Sequence, residues 1–191
     1  YRGDAVLALV GSRAAIDAVR VEDVPVSWTP LPPVTFDAVL AGETPALHAD
    51  HPDNVLIRGR VVKGDVKHVD AAVSAEIEIE TGFVEHAYIE PEAGYARRAG
   101  DRIEVHACTQ APVMDRDEVA HVMDLDKSAI RIVPTATGGG FGGKLDVSVQ
   151  PLIALAAWKL NRPVACVYTR PESMAATTKR QDSTTTYTNN W

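Results

Sequence analysis

No apolar run in this chain approaches the ~20 residues that a membrane-crossing helix needs; the longest helical candidate, residues 147–160, stops well short. Positive charge is thin as well. The formal net charge is −7 and no Lys/Arg cluster offsets it, which argues against a nucleic-acid surface. Cysteine is scarce: Cys108 and Cys166 lie far apart and form no Cys-x-x-Cys pair. They read as buried, reduced thiols, consistent with a cytoplasmic setting. The chain opens Tyr1-Arg2-Gly3-Asp4 without an initiator Met or signal-peptide pattern, and it closes on a polar stretch, residues 183–191, with no expected packed element. Both ends read as cuts in a longer protein.

What the chain does have is an ordinary globular composition, 46% hydrophobic, and one stretch unlike the rest: Gly138-Gly139-Gly140-Phe141-Gly142-Gly143-Lys144. Five glycines in six positions cost conformational entropy unless the backbone needs positive φ angles or must approach a ligand closely. A short β-branched run, Ile130-Arg131-Ile132-Val133, precedes the loop, and the apolar helical segment 147–160 follows it. A strand, a glycine turn and a helix N-terminus together predict an anion-binding site.

The remainder reads as follows. Residues 5–10 form a continuous apolar run, expected as a buried strand, and Ser12 is a candidate helix N-cap. A second strand is expected over 24–28 and a short helix over 36–40, and these together suggest a small α/β unit. Residues 41–54 form a polar connector. His48 and His51 lie near Asp50 and Asp53 there, but their spacing matches no ligand pattern. A short strand is expected within 55–67, with a turn at Lys63-Gly64-Asp65. Residues 73–80 alternate as a strand with one wet face, so Glu76, Glu78 and Glu80 read as solvated rather than catalytic. Short strands are expected at 86–92 and 94–97, and another at 102–107 with Ile103, Val105 and Ala107 on one face. Thr109 could cap a helix that Pro112 begins, with Asp115 in its first turn and Val119, Val122 and Met123 as its buried stripe. A strand at 164–168 and a helix starting near Pro171 end the readable part.

Two familiar patterns fit the glycine loop loosely. Gly138-x-Gly140-x-x-Gly143 matches the dinucleotide fingerprint, but the acidic residue for the ribose is poorly placed after residues 164–168. Gly138-x-x-x-x-Gly143-Lys144 matches most of the ATP-binding P-loop, but Leu145 stands where a hydroxyl should hold Mg²⁺. A third reading uses more of the chain. The loop, together with Cys108-Thr109-Gln110 and Glu85-His86-Ala87-Tyr88-Ile89-Glu90-Pro91-Glu92, resembles the large, cofactor-binding subunit of the molybdenum hydroxylases, the xanthine dehydrogenase and aldehyde oxidase group. The likeness covers about 55–180, with three motifs in the family's order.

That resemblance implies an α+β fold: residues 1–54 as the end of a small α/β hammerhead domain with its linker, and 55–191 as the first part of the molybdopterin-binding domain. It implies a fragment of an oxidoreductase that hydroxylates an aldehyde or aromatic N-heterocycle with water as the oxygen source. Molybdenum–molybdopterin is the expected cofactor, with a cytosine dinucleotide form as one option, and iron–sulfur clusters and FAD on partner domains or subunits. Gln110 matches the residue that donates to the metal's oxo ligand. Gly139, Gly140, Phe141 and Gly142 match the loop beside the metal, and no side chain here matches a direct metal ligand. Purine-oxidising members carry a glutamate where Leu145 stands, which leans the substrate away from xanthine. The family's general base lies downstream, beyond this chain, so the fragment alone is expected to be inactive. A nucleotide-binding module is the alternative.

Overall fold

The computed structural model describes residues 3–65 and 70–191. Its elements run α1 (Arg13–Asp17), α2 (Phe36–Leu40), β1 (Ser74–Thr81), β2 (Ala93–Ala99), β3 (Arg102–Ala107), α3 (Pro112–Met123), β4 (Ile130–Pro134), α4 (Gln150–Leu160), β5 (Val164–Val167), α5 (Arg170–Ala176) and β6 (Ser183–Asn190). The chain divides into two compact units, one of Tyr1–Ala18 with Glu78–Thr186, the other of Val19–Ile77 with Tyr187–Trp191. The fold class is α+β, as expected.

The first unit is built on a four-stranded sheet of order β4-β3-β2-β5. Alternation at 102–107 buries Ile103, Val105 and Ala107 completely, as the period of 2 predicts. β2 pairs antiparallel with both β3 and β5, whereas β3 and β4 run parallel and are joined through α3. A parallel pair requires such a crossover. α3 and α4 supply the apolar cover: Val119 and Ala120 from the former, and Ile153, Ala154 and Ala157 from the latter, meet Ala96, Val105 and Ile130 of the sheet. Val122, expected in the buried stripe of α3, is exposed; the inward stripe is instead Asp115, Val119 and Ala120. Of the two free thiols, Cys108 is buried and Cys166 only half-buried.

Several expected elements do not form. Residues 5–10 are apolar but make no strand, and Val6, Leu7, Leu9 and Val10 are exposed. They join no ladder among the described residues, and a strand outside a ladder leaves its polar groups unpaired. The same holds for 24–28 and for the described part of 55–67; Val66 and Lys67 lie outside the described residues. Residues 86–92 are irregular rather than a strand. The polar tail, expected to pack nowhere, forms β6 and pairs with β1 as a two-stranded sheet. β1 is exposed on both faces rather than one.

In the second unit, no described residue is buried. Its order is local. Thr35 caps α2 through the Ala38 amide, and Asn54 receives the Leu47 amide at 2.8 Å while donating to Thr44 and Pro45. Asp53 is taken up by the Val55 amide and the Arg58 guanidinium. In the first unit Ser12 caps α1 as expected, accepting from the Ala15 amide.

Candidate functional site

The sheet brings the three motifs together by direction alone. β3 and β4 are parallel with Ala107 opposite Pro134, so the segments that leave their carboxyl ends, 108–110 and 135–144, emerge side by side. The Thr135 amide donates to the Ala107 carbonyl at 3.0 Å and continues the ladder past the strand end. β2 is antiparallel to β3, so the segment 86–92 that enters it lies at the same end. β5 exits there too, and the Tyr168 amide donates to the Glu92 carbonyl at 2.9 Å. The carboxyl ends of strands are where open α/β sheets hold ligands.

Within this cluster Gln110 fixes the glycine loop. Its Oε1 accepts the amides of Gly142 at 3.1 Å and Lys144 at 3.2 Å, and its backbone amide donates to the Lys144 carbonyl at 3.0 Å. Two N–H donors on one side-chain atom identify that atom as the oxygen, since an NH₂ group offers no acceptor. Nε2 is therefore oriented as a donor, and no acceptor faces it among the described residues. Gly140 abuts this carboxamide: a Cβ there would stand 2.4 Å from Oε1. Gly139 and Gly142 have φ of 98° and 93°, which admit only glycine comfortably. Phe141 also has positive φ, 52°, with its side chain 75% exposed. A bulky residue held in the left-handed region is a strained feature of the kind that clusters at functional sites.

The loop's other wall is segment 86–92. Glu90 Oε2 accepts the Gly138 amide at 2.8 Å and the Lys144 ammonium at 2.8 Å; Lys144 also donates to the Glu90 carbonyl and lies 4.6 Å over the Tyr88 ring. Burial works against the Glu90 charge, but the Lys144 ammonium and the Gly138 amide outweigh it and hold the carboxyl below its ordinary value. The Tyr88 hydroxyl donates to Glu92, and its pKa is pushed up to about 12 by burial first and by that carboxylate second. Arg170, at the start of α5, donates to the carbonyls of Tyr88 and Ile89, both at 2.7 Å. Glu85 pairs with Lys179 at 2.8 Å.

Behind Gln110, Thr109 does not cap α3. Its hydroxyl accepts the Ala111 amide at 3.0 Å, and Ala111 holds the N-cap position. Asp115 is fully buried and accepts from Gln150 Nε2 at 3.1 Å, while its Oδ1 has no hydrogen-bond partner among the described residues. Burial raises its carboxyl above the usual range. Gln150 in turn accepts from the Ser148 amide at 2.7 Å.

The expected helix N-terminus is not part of the site. α4 begins at Gln150, not 147, so residues 145–149 separate it from the loop. The donors available to a ligand are those of the loop itself. The amides of Gly139, Gly140 and Phe141 meet no acceptor among the described residues. Leu145 is partly exposed beyond Lys144. Sequence reasoning assigned no role to Glu90 or Arg170. Glu90 sits in a motif quoted for the resemblance and Arg170 just before Pro171, but their partners lie 48 to 82 residues away.

Residues 47–189 match the family described as the molybdopterin cofactor-binding domain. This chain belongs to that family. It is 34% identical over 193 residues to the nicotinate dehydrogenase large molybdopterin subunit of Eubacterium barkeri, covering 95% of this chain and 43% of that one. Against the xanthine dehydrogenase molybdenum-binding subunit of Escherichia coli O157:H7, identity is 31% over 186 residues, with 94% of this chain and 24% of the relative covered. The chain thus spans less than half of either relative. Among solved structures, the aldehyde oxidoreductase of Desulfovibrio gigas aligns over 59% of this chain and 13% of its own, at 26% identity and a TM-score of 0.56. Quinoline 2-oxidoreductase from Pseudomonas putida 86 shares the fold over 81% of this chain and 20% of its own, at a TM-score of 0.64 and 24% identity. The molybdopterin family is therefore the reading that the loop supports. The nucleotide-binding alternative has no support, since a dinucleotide loop must run directly into its helix.

The molybdopterin domain's cofactor can be tested against these residues. A site for it must offer hydrogen-bond donors at short range and no bulk. Three unpartnered loop amides, the oriented Gln110 Nε2 and a space at Gly140 that a Cβ would fill meet that need. The residues present fit an oxygen-rich, anionic group.

Proposed function

We propose that the chain is the first part of the cofactor-binding portion of a molybdenum hydroxylase that oxidises an aldehyde or aromatic N-heterocycle with water as the oxygen source. Residues 1–54 are read as the end of the hammerhead domain and its linker, and 55–191 as the start of the molybdopterin-binding domain. Gln110, Gly139, Gly140, Phe141 and Gly142 would hold the cofactor, through the carboxamide N–H and the loop backbone. When bound, the molybdenum centre supplies hydroxylation and accepts two electrons. The chain's own residues orient and donate: Gln110 Nε2 offers a proton donor whose direction the Gly142 and Lys144 amides set. Leu145 offers an apolar surface where a purine's polar edge would go unpaired, which favours an aldehyde or a less polar aromatic ring over xanthine. Iron–sulfur and flavin partners would take the electrons onward. A cytosine dinucleotide form of the pterin fits the reading. No glutamate here is assigned as general base, so the chain by itself is read as inactive.

The observation that carries this reading is the paired amides on Gln110 Oε1. In the full-length enzyme, Gln110→Ala should lower kcat per bound molybdenum by about 10²-fold, the scale of one lost donor to developing charge, a larger loss than the fall in molybdenum content that comes with the freed loop amides. Equal loss of metal and turnover would contradict the assigned role. Full-length protein that carries no molybdenum or pterin would overturn the function as a whole. Among the described residues no helix is long and apolar enough to cross a membrane.

A further inference from the structure

One carboxylate oxygen joins the two ends of the glycine loop. Glu90 Oε2 takes the backbone amide of Gly138, the loop's first residue, and the ammonium of Lys144, its last, each at 2.8 Å. Lys144 is a poor candidate for a solvated charge: its side chain is 2% exposed, its second bond goes to the Glu90 carbonyl at 2.9 Å, and the Tyr88 ring lies beneath it. A buried ammonium persists only where it is paired and hydrogen-bonded, and Glu90 supplies both. The opposite side of the loop is held by Gln110 Oε1, through the backbone amides of Gly142 and Lys144. Lys144 is thus the shared post: its side chain answers to Glu90 and its backbone to Gln110. The backbone between these anchors includes the amides of Gly139, Gly140 and Phe141, left without acceptors among the described residues. Five glycines would otherwise let such a loop sample many conformations.

We infer that Glu90 and Lys144 form an ionic latch that positions the glycine loop, and through the Lys144 backbone orients Gln110, for the cofactor. This rests on the function proposed above. Both are positioning residues: neither need touch the cofactor. The latch differs from a general stabilising ion pair because its loss should loosen one loop and leave the sheet beneath it intact. The paired carboxylate also reaches across 54 residues of chain, so segment 86–92 and the loop are set together rather than separately.

The test uses full-length enzyme, with Glu90→Gln as the near-isosteric variant and Lys144→Met as the second. Amide hydrogen exchange is followed by mass spectrometry on peptides covering 138–144 and, for comparison, β2 and β3, alongside molybdenum content after extensive dialysis. With the latch broken, exchange at 138–144 should quicken by about tenfold or more, the scale of one lost charge-assisted hydrogen bond. Exchange in β2 and β3 should not change, and retained molybdenum should fall. Glu90→Gln that folds, keeps its molybdenum and exchanges at the unaltered rate over 138–144 overturns the latch. So does acceleration spread evenly over loop and sheet, which would mark ordinary stabilisation. If Lys144→Met does not fold, Glu90→Gln decides alone. Unaltered enzyme without molybdenum would instead sink the proposed function, whatever the exchange rates show.

Discussion

The two units of this chain differ in where their order comes from. Around the four-stranded sheet, apolar side chains vanish from solvent: Ala96, Ile103, Val105, Val119 and Ala157 are all fully buried. In the unit of Val19–Ile77 with Tyr187–Trp191, no described side chain is buried, and Val61 is 98% exposed. Its helix caps and Asn54 bonds hold local shape, but caps contribute only about 1 kcal/mol each. Burial is the larger favourable term in folding. The functional cluster belongs wholly to the unit that has a core, and its geometry draws on that core.

The sharpest way to break this comparison is to truncate one residue in each unit. Ile153→Ala, in the packed face of α4, should destabilise by about 2–5 kcal/mol. Val61→Ala should change stability by less than about 0.5 kcal/mol. Urea unfolding of the two variants measures both, and similar losses would mean that the second unit carries hidden burial in the whole protein. Next in size is Gly140→Ala. A methyl 2.4 Å from Gln110 Oε1 must displace the carboxamide or the loop, a cost of about 1–3 kcal/mol with loss of bound molybdenum. A variant as stable and as fully loaded as the unaltered protein would show that the loop and Gln110 are not packed together.

The smallest expected effect concerns pH. Burial raises the Asp115 carboxyl, so the folded chain holds that proton more tightly than the unfolded chain does. The stability this group contributes is full below the unfolded carboxyl pKa of about 4 and is lost as pH rises through the raised folded value. Asp115→Asn should therefore match the unaltered protein near the low end and gain on it toward neutral pH. Parallel stability curves for the two, from denaturation midpoints across that range, would show that Asp115 carries no such pH dependence.

Much of the packed unit was legible in sequence because its rules are local. Alternation placed Ile103, Val105 and Ala107 inward, Ser12 and Pro112 marked helix starts, and the glycine loop stood out by composition. What failed depended on distant partners. Residues 5–10 have the apolarity of a strand but join no sheet among the described residues. Val122 sits at helical spacing from Val119 yet faces out, because the sheet and α4 take the Asp115 side of α3. β6 carries a local signal of its own, since Thr184, Thr185, Thr186, Tyr187 and Thr188 all favour extended backbone. Its polarity hides that signal. At the site, the Gln110 and loop motifs were readable as words. That Glu90 would join the ends of one of them was not, since that contact exists only after β2, β3 and β4 have aligned.

That alignment has a wider meaning for tolerance to change. With Ala107 opposite Pro134 in a parallel pair, the sheet serves as a ruler for the motifs beyond its edge. Deleting one residue within β4 would move Gly138 along the strand direction by about 3.3 Å, out of reach of Glu90, and would turn side chains to the opposite face. Such a lesion touches no site residue and would still be read in an assay as a site mutant. Insertions in the surface turn at Gly100, between β2 and β3 and far from the motif-bearing edge, carry no such penalty. The chain's vulnerability to length changes is thus set by which end of the sheet they fall on.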